Sequence, residues 1–216
     1  MVYYPVNLDI TGRSCLVVGG GPVAARKILS LLECGASVKV VSPEVNRLIA
    51  DAAAEGRVEW LPRKYSGSDL DGMFLVFAAT SDRDIQDRIA ADSKRVGVLL
   101  NCVDDPEKCD FQVPAKIRRG KLLIAISTGG GSPALAARIK GRLQQEFGPE
   151  YELLVDLMAA VREHLVGVGS PEQNRQLFHQ ILSLPLLDLM EENKWQDIRS
   201  QLLEILPESI DFQELF

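Results

Sequence analysis

The first chemical signal is a spacing of small residues. Gly19, Gly21 and Ala24, in the run Gly19-Gly20-Gly21-Pro22-Val23-Ala24, fit G-x-G-x-x-G/A directly after the apolar Cys15-Leu16-Val17-Val18. This is the pattern of a strand–turn–helix that binds a dinucleotide. The first glycine permits the tight turn, the second lets the backbone approach a pyrophosphate, and the small third residue lets helix and strand pack closely. Pro22 suits the first helical turn, where its missing N–H costs nothing. The remaining N–H groups, from Val23 onward, and the positive dipole end would face the phosphates. The alternative is a glycine-rich turn that binds nothing.

Two further groups have chemical potential. Asp104 and Asp105 follow the apolar run that ends at Asn101-Cys102. A carboxylate delivered at a strand end can serve as a general base. The other reading is a turn cap ahead of Pro106, a common role for Asp. Beyond them, residues 111–145 carry Lys116, Arg118, Arg119, Lys121, Arg138, Lys140 and Arg142 and no acid, whereas residues 146–216 carry fourteen acids against four bases. Arginine recognises carboxylates bidentately, so Arg118, Arg119 and Arg138 are candidates for a polyanionic ligand. Otherwise the charge serves solubility or faces the acidic C-terminal region. Nucleic acid fits poorly, because the net charge is −6 and Phe111 is the one aromatic of the basic segment.

These groups need a scaffold. Strands are expected at 13–18, 37–41, 57–61, 74–79 and 96–102, and helices at 23–33, 45–55 and from Asp82 to about 95. The run 74–79 is the most hydrophobic and is placed at the sheet centre. Strands alternating with helices imply an α/β fold with a parallel, doubly wound sheet, whose ligands sit beyond the C-terminal strand ends. That edge collects Gly19 to Val23, Ser42-Pro43, Ala79-Thr80 and Asn101 to Asp104. An acid for the ribose hydroxyls often ends strand two; here Ser42-Pro43 stands there, with Glu44 next, so the residues do not choose NAD over NADP.

The pattern changes after Pro106. Strands at 111–117 and 121–126 read as a hairpin around Arg118-Arg119-Gly120. Ser127-Thr128-Gly129-Gly130-Gly131 then precedes a helix capped by Ser132 and running to about 147, a second anion-binding geometry or a flexible joint. The rest is helical: 150–166, with Leu153, Leu154, Leu157, Val161 and Leu165 as its stripe; a helix opened by the capping box Ser170 to Gln173; and a helix at 193–206 stopped by Pro207.

Apolar content of 46% and charged content of 25% describe an ordinary globular protein. No apolar run approaches the about 20 residues a spanning helix needs, and the N-terminus lacks the basic region of a leader, so no membrane partner is expected. Cys15, Cys34, Cys102 and Cys109 form no C-x-x-C pair, which fits free thiols and a cytoplasmic location. His164 and His179 have no partner at helical spacing, so no resident metal site is expected.

Four motifs now stand in one order: Gly19 to Lys27; Phe77-Ala78-Ala79-Thr80-Ser81-Asp82; Asn101-Cys102-Val103-Asp104-Asp105-Pro106; and Ile126-Ser127-Thr128-Gly129-Gly130-Gly131-Ser132-Pro133. Together they resemble the precorrin-2 dehydrogenase/sirohydrochlorin ferrochelatase family, the N-terminal module of siroheme synthase. The resemblance covers residues 1 to about 150; the helical end matches in kind only. It implies a Rossmann domain over 1–113, a hairpin-plus-helix dimerisation segment over 114–147, and a C-terminal helical domain over 148–216 that completes the cleft. It further implies a homodimer; because the chain stops near where that module stops, it is expected to be free-standing, without a methyltransferase half. The implied reaction is NAD-dependent oxidation of precorrin-2 to sirohydrochlorin, with Fe²⁺ as a further substrate in members that also make siroheme. Asp104 falls on the family's general base, with Asp105 as the neighbouring alternative. Around it the resemblance implies cofactor contacts from Gly19, Gly20, Gly21, Pro22, Val23, Ser42, Pro43, Glu44, Ala79 and Thr80. Substrate contacts would come from Asn101, Arg118, Arg119, Ser127, Thr128 and Arg138. The competing class is a non-catalytic NAD(P)-sensing Rossmann module, which needs neither Asp104 nor a basic hairpin.

Overall fold

The computed structural model describes residues 2–165 and 169–206. The chain forms two compact units, Met1–Val113 and Pro114–Phe216. In the first, β1 (Ser14–Val18), β2 (Ser37–Val41), β3 (Val58–Leu61), β4 (Leu75–Ala78) and β5 (Leu99–Cys102) make one parallel sheet in the order β3-β2-β1-β4-β5. The crossovers are α1 (Pro22–Leu32), α2 (Arg47–Ala54) and α3 (Arg83–Val96). Alternate strand residues feed two cores. Cys15 and Val17 pack with Ile28 of α1 and Ile49 of α2, whereas Leu16 and Val18 pack with Ile89 and Ala90 of α3. The sheet is therefore covered on both faces, as a run of consecutive apolar residues requires. The strand order reverses between β1 and β4, which places a crevice at their C-terminal ends.

Two expectations need correction. The central strand is β1, and β4 lies beside it. Both are buried on two faces, so hydrophobicity does not rank them. The fifth strand begins at Leu99, because α3 runs through Val96 and stops at Gly97, whose φ of 81° is the left-handed helix end that glycine favours. Asp82 caps α3 as expected, its carboxylate accepting from the Ile85 N–H at 3.2 Å.

In the second unit β6 (Ala115–Arg119) and β7 (Leu122–Ile126) form an antiparallel hairpin. Gly120, with φ of 52°, makes the turn with Lys121, so Arg118 and Arg119 lie in β6 rather than in the turn where the sequence puts them. α4 (Pro133–Glu146) covers the hairpin through Ala136 against Ile117 and Ile126. α5 (Glu150–His164), α6 (Pro171–Leu182), α7 (Leu186–Glu191) and α8 (Trp195–Leu203) share a core of Leu157, Val161, Ile181, Met190 and Ile198. Leu153, expected in the stripe of α5, is 43% exposed. The capping box of Ser170 and Gln173 opens α6 as expected. α5 ends at His164 and α8 spans Trp195–Leu203, both shorter than the expected 150–166 and 193–206; Val166 and the expected stop at Pro207 lie outside the described residues. Among the described residues no helix is long and apolar enough to cross a membrane. All four cysteines are free, and burial pushes the Cys15 thiol up to about 11.

The connection from β3 to β4 is held by one buried carboxylate. Asp69 accepts from Arg63 Nη1 at 2.9 Å, Arg63 Nη2 at 2.5 Å and the Ser66 N–H at 2.8 Å. Burial alone would raise its pKa, but these donors outweigh burial and hold it below the ordinary carboxylate value. A depressed carboxyl stabilises the fold above its unfolded pKa of about 3.9, and the contribution fades as pH falls through the folded value. Asp69→Asn should therefore lower the thermal midpoint at pH 7 by about 5 °C. The gap to the unsubstituted protein should close in acid, which thermal unfolding followed by circular dichroism across pH checks.

Candidate active site

The glycine loop leaves β1 and enters α1. Gly19 has φ of 125°, and a Cβ there would lie 2.3 Å from the Ala79 carbonyl oxygen at the end of β4. Gly20 occupies a variable place in the motif, yet a Cβ on it would lie 1.9 Å from the Glu44 carbonyl oxygen, and its own carbonyl accepts from the Asn46 N–H at 2.8 Å. The loops after β1, β2 and β4 thus meet backbone to backbone. Gly21 differs: nothing lies within 4 Å of a Cβ built there. It forms the N-cap of α1, with Pro22 next and Val23 half-buried. Ala24 is fully buried against the sheet. An open approach at the second glycine, the N–H groups of a first helical turn and a small buried third residue are what a pyrophosphate requires. The residues fit a dinucleotide.

The surrounding loop residues have distinct placements. Ser42 is buried, its hydroxyl donating to the Glu44 carbonyl at 2.6 Å and its own carbonyl accepting from Trp60 Nε1 at 3.0 Å. Pro43 and Glu44 are exposed, and Ala79 and Thr80 are half-buried. Thr80 is held by Gln86, whose Nε2 donates to the Thr80 carbonyl at 2.7 Å. Lys27, two turns into α1, lies 5.6 Å above the Phe77 ring, and Phe77 meets Phe111 edge to face at 5.5 Å. Burial and then Arg26 push the Lys27 ammonium below its ordinary value.

At the end of β5 the two neighbouring acids separate. Asp104 is exposed on a left-handed backbone, φ 66°, and its carboxylate has no hydrogen bond or ion pair among the described residues. Asp105 accepts from Lys108 Nζ at 2.6 Å, and this bond holds its carboxyl below the ordinary range. The side chain of Asp104 therefore does not cap the turn before Pro106. Asn101 is buried, its Nδ2 donating to the Phe111 carbonyl at 3.0 Å. The Cys109 sulfur closes the turn from inside, accepting from the Cys102 N–H and donating to the Cys102 carbonyl, both at 3.1 Å. A cavity of about 420 Å³ is lined by Thr80, Ser81, Arg83, Gln86, Asp87, Asp104, Asp105 and Lys108. Arg83 has no carboxylate within ion-pair distance among the described residues.

The remaining candidates belong to the second unit. Arg118 and Arg138 are exposed. Arg119 points its guanidinium at the end of α4, donating to the Phe147 carbonyl at 2.9 Å and the Gln144 carbonyl at 3.4 Å. Lys121 pairs with Asp156 at 2.8 Å. Ser127 and Thr128 accept from the N–H groups of Gly129 and Ser132, both at 3.1 Å, which orders the glycine-rich turn ahead of α4. Among the described residues no group of three His, Cys, Asp or Glu side chains is placed to hold a metal. Sequence reasoning missed Gln86, Arg83, Asp87 and Lys108. All but Lys108 lie on the first turns of α3, a helix that starts at a strand end, and that placement was the available signal.

Residues 6–115 match a family model described as putative NAD(P)-binding, and residues 119–146 one described as the central part of a sirohaem biosynthesis protein. A solved structure titled SirC, precorrin-2 dehydrogenase, is 30% identical, with a TM-score of 0.73 over 92% of this chain and 100% of that one. The chain belongs to the precorrin-2 dehydrogenase family. Siroheme synthase of Methylococcus capsulatus is 35% identical over 208 residues, 94% of this chain and 43% of that protein. Siroheme synthase of Chromobacterium violaceum is 38% identical over 189 residues, 87% of this chain and 40% of that protein. The chain thus spans about two fifths of these relatives. Family membership agrees with the parallel sheet and the dinucleotide loop described above.

Gly20 and Gly21 separate folding from binding. Gly21→Ala places its methyl in open space, so the thermal midpoint should stay within about 2 °C while NAD affinity falls at least about tenfold. Gly20→Ala must displace the loop after β2 and should lower both. Thermal unfolding and calorimetric NAD titration of the two variants check this.

Proposed function

We propose that this chain oxidises precorrin-2 to sirohydrochlorin in siroheme biosynthesis, with NAD as hydride acceptor and Asp104 as general base. One observation carries the reading. An unpaired carboxylate on a left-handed backbone stands at the same sheet edge as a helix N-terminus open to a dinucleotide. Such backbone outliers cluster at functional sites.

Gly19, Gly20, Gly21, Pro22 and Val23 would hold the pyrophosphate, with Ala79 and Thr80 beside them and Ser42, Pro43 and Glu44 toward the ribose. Bound there, NAD supplies the acceptor for a hydride. Glu44 favours free ribose hydroxyls over a 2′-phosphate, and Arg47, the nearest cation along the chain, turns to Asp51 at 3.7 Å. Asp104 takes the proton that the substrate must lose along with the hydride. Its lone pairs are open to solvent and substrate, whereas those of Asp105 are engaged by Lys108. The substrate carries several carboxylates, and Arg118, Arg138 and Arg83, which have no ion pair among the described residues, are the cations we assign to them. Arg119 has most of its donors on main-chain carbonyls and contributes mainly to the fold of the hairpin. Asn101, Ser127 and Thr128 border the substrate in this reading.

The same proposal assigns 1–113 to the cofactor, 114–147 to homodimer formation and 148–216 to a C-terminal helical domain. The outer edges of the two-stranded β6–β7 sheet, which pair with no further strand among the described residues, and the 49% exposed Leu135 of α4 support a second copy at the hairpin. Four free thiols support a cytoplasmic location. If the chain also inserts Fe²⁺ into sirohydrochlorin, Asp104 is the carboxylate placed to accept the pyrrole protons. The rate of iron uptake with and without protein decides that second activity.

The main test supplies precorrin-2 and NAD without oxygen and follows NADH absorbance. Turnover is expected, and Asp104→Ala should lower it at least about a hundredfold while leaving NAD affinity within about twofold. Intact NAD binding with no turnover by the unsubstituted protein would establish the sensor module instead. Unchanged turnover in Asp104→Ala would remove that residue from the chemistry.

A further inference from the structure

The segment between β5 and Asp110 is a closed loop. Asp110 returns alongside β5, its N–H donating to the Leu100 carbonyl at 2.8 Å and its carboxylate accepting from the Leu100 N–H at 2.9 Å. At the other end the Val103 N–H donates to the Ala78 carbonyl at 3.0 Å, which fixes the residue before Asp104 to β4. Between these anchors Asp104 adopts a left-handed backbone, φ 66°, which residues with a Cβ rarely take. The neighbouring structure must hold it there.

The Cys109 thiol, which donates to the Asp105 carbonyl at 3.3 Å, holds the turn from inside, and Lys108 is the side chain placed to hold it from the cavity. Its Nζ lies 2.6 Å from Asp105 Oδ2 and 2.7 Å from Asp87 Oδ1. Asp105 is the residue directly after Asp104, and Asp87 sits on the second turn of α3. One ammonium therefore ties the Asp104 turn to a helix that is packed against the sheet. The helix also grips the neighbouring corner, through Gln86 and the Thr80 carbonyl. Asp87, Asp104, Asp105 and Lys108 line one cavity. Without the ammonium, three carboxylates would share it and repel one another and an anionic substrate. Two of the three N–H donors of Lys108 are already engaged, and its charge is matched by two carboxylates. Arg83, in the same cavity, is the cation assigned to a substrate carboxylate.

We propose that Lys108, through Asp105 and Asp87, is a positioning residue that fixes the Asp104 carboxylate for proton transfer. The role rests on the dehydrogenase reading. Three variants test it: Lys108→Met, Lys108→Arg and Asp87→Asn. In Lys108→Met, kcat for precorrin-2 oxidation should fall about tenfold or more while KM for NAD stays within about twofold, because a misplaced base slows the chemical step and leaves cofactor binding alone. Lys108→Arg can remake both ion pairs and should recover most of the loss. Asp87→Asn weakens one arm of the bridge and should fall between. Wild-type kcat in Lys108→Met would overturn the proposal. So would a loss that Lys108→Arg does not restore, or one matched by an equal loss of NAD affinity and thermal stability.

Amide exchange gives a readout independent of turnover. Residues 103–109 should exchange about tenfold faster in Lys108→Met than in the unsubstituted protein, with the strands unchanged. Unchanged exchange would overturn the brace. Faster exchange in a protein that never oxidises precorrin-2 would keep the brace and overturn the dehydrogenase reading instead, so the two failures are distinct.

Discussion

Three loop backbones converge at one sheet edge more closely than side chains permit. A methyl at Gly19 would meet the Ala79 carbonyl at 2.3 Å, and one at Gly20 would meet the Glu44 carbonyl at 1.9 Å. This convergence lets the loop after β2 lie over the turn into α1 and lets the end of β4 reach the same place. It leaves Gly21 with open space, so the first turn of α1 faces outward without obstruction. The dinucleotide site is thus a packing result before it is an electrostatic one. The helix dipole and N–H groups gain their use because no Cβ stands in front of them.

Charge is organised by commitment rather than by count. The basic segment draws attention because it holds no acid, yet Arg119 is engaged with the end of α4 and Lys121 with Asp156. Conversely, the acidic first unit contributes Arg83, a cation with no acid partner among its described residues, in the cavity with Asp104. The same logic separates the two adjacent acids. Asp105 is paired and held low, whereas Asp104 is open. A carboxylate with free lone pairs at a strand end can accept a proton, and one already bridged by an ammonium is a poor candidate.

The second unit shows how little of a local pattern survives without its partners. The hairpin and the capped helix after Ser132 follow from turn and capping chemistry, and both form. The hairpin arginines lie in the strand rather than the turn, because β6 runs to Arg119 and Gly120-Lys121 make the turn. Gly120 can adopt φ of 52° alone, and the turn needs no arginine. The apolar stripe of α5 is real at Leu157 and Val161 but not at Leu153, because periodicity marks a face and only the neighbouring helices decide how wide a face they cover.

Much was readable from order and spacing alone. The alternation of strands and helices, the glycine loop, the caps at Asp82 and Ser132, and the family resemblance all depend on local chemistry, which the chain carries residue by residue. Three things depended on tertiary placement. The sheet order could not be ranked by hydrophobicity, because β1 and β4 are equally buried. The requirement for glycine at position 20 comes from a carbonyl twenty-four residues away. Which of the neighbours Asp104 and Asp105 is ion-paired and which is left open turns on Lys108, which also bridges to Asp87 of α3. Sequence determines what each residue is able to do; contacts between residues distant in the chain decide which capacities are already used and which are left for a ligand.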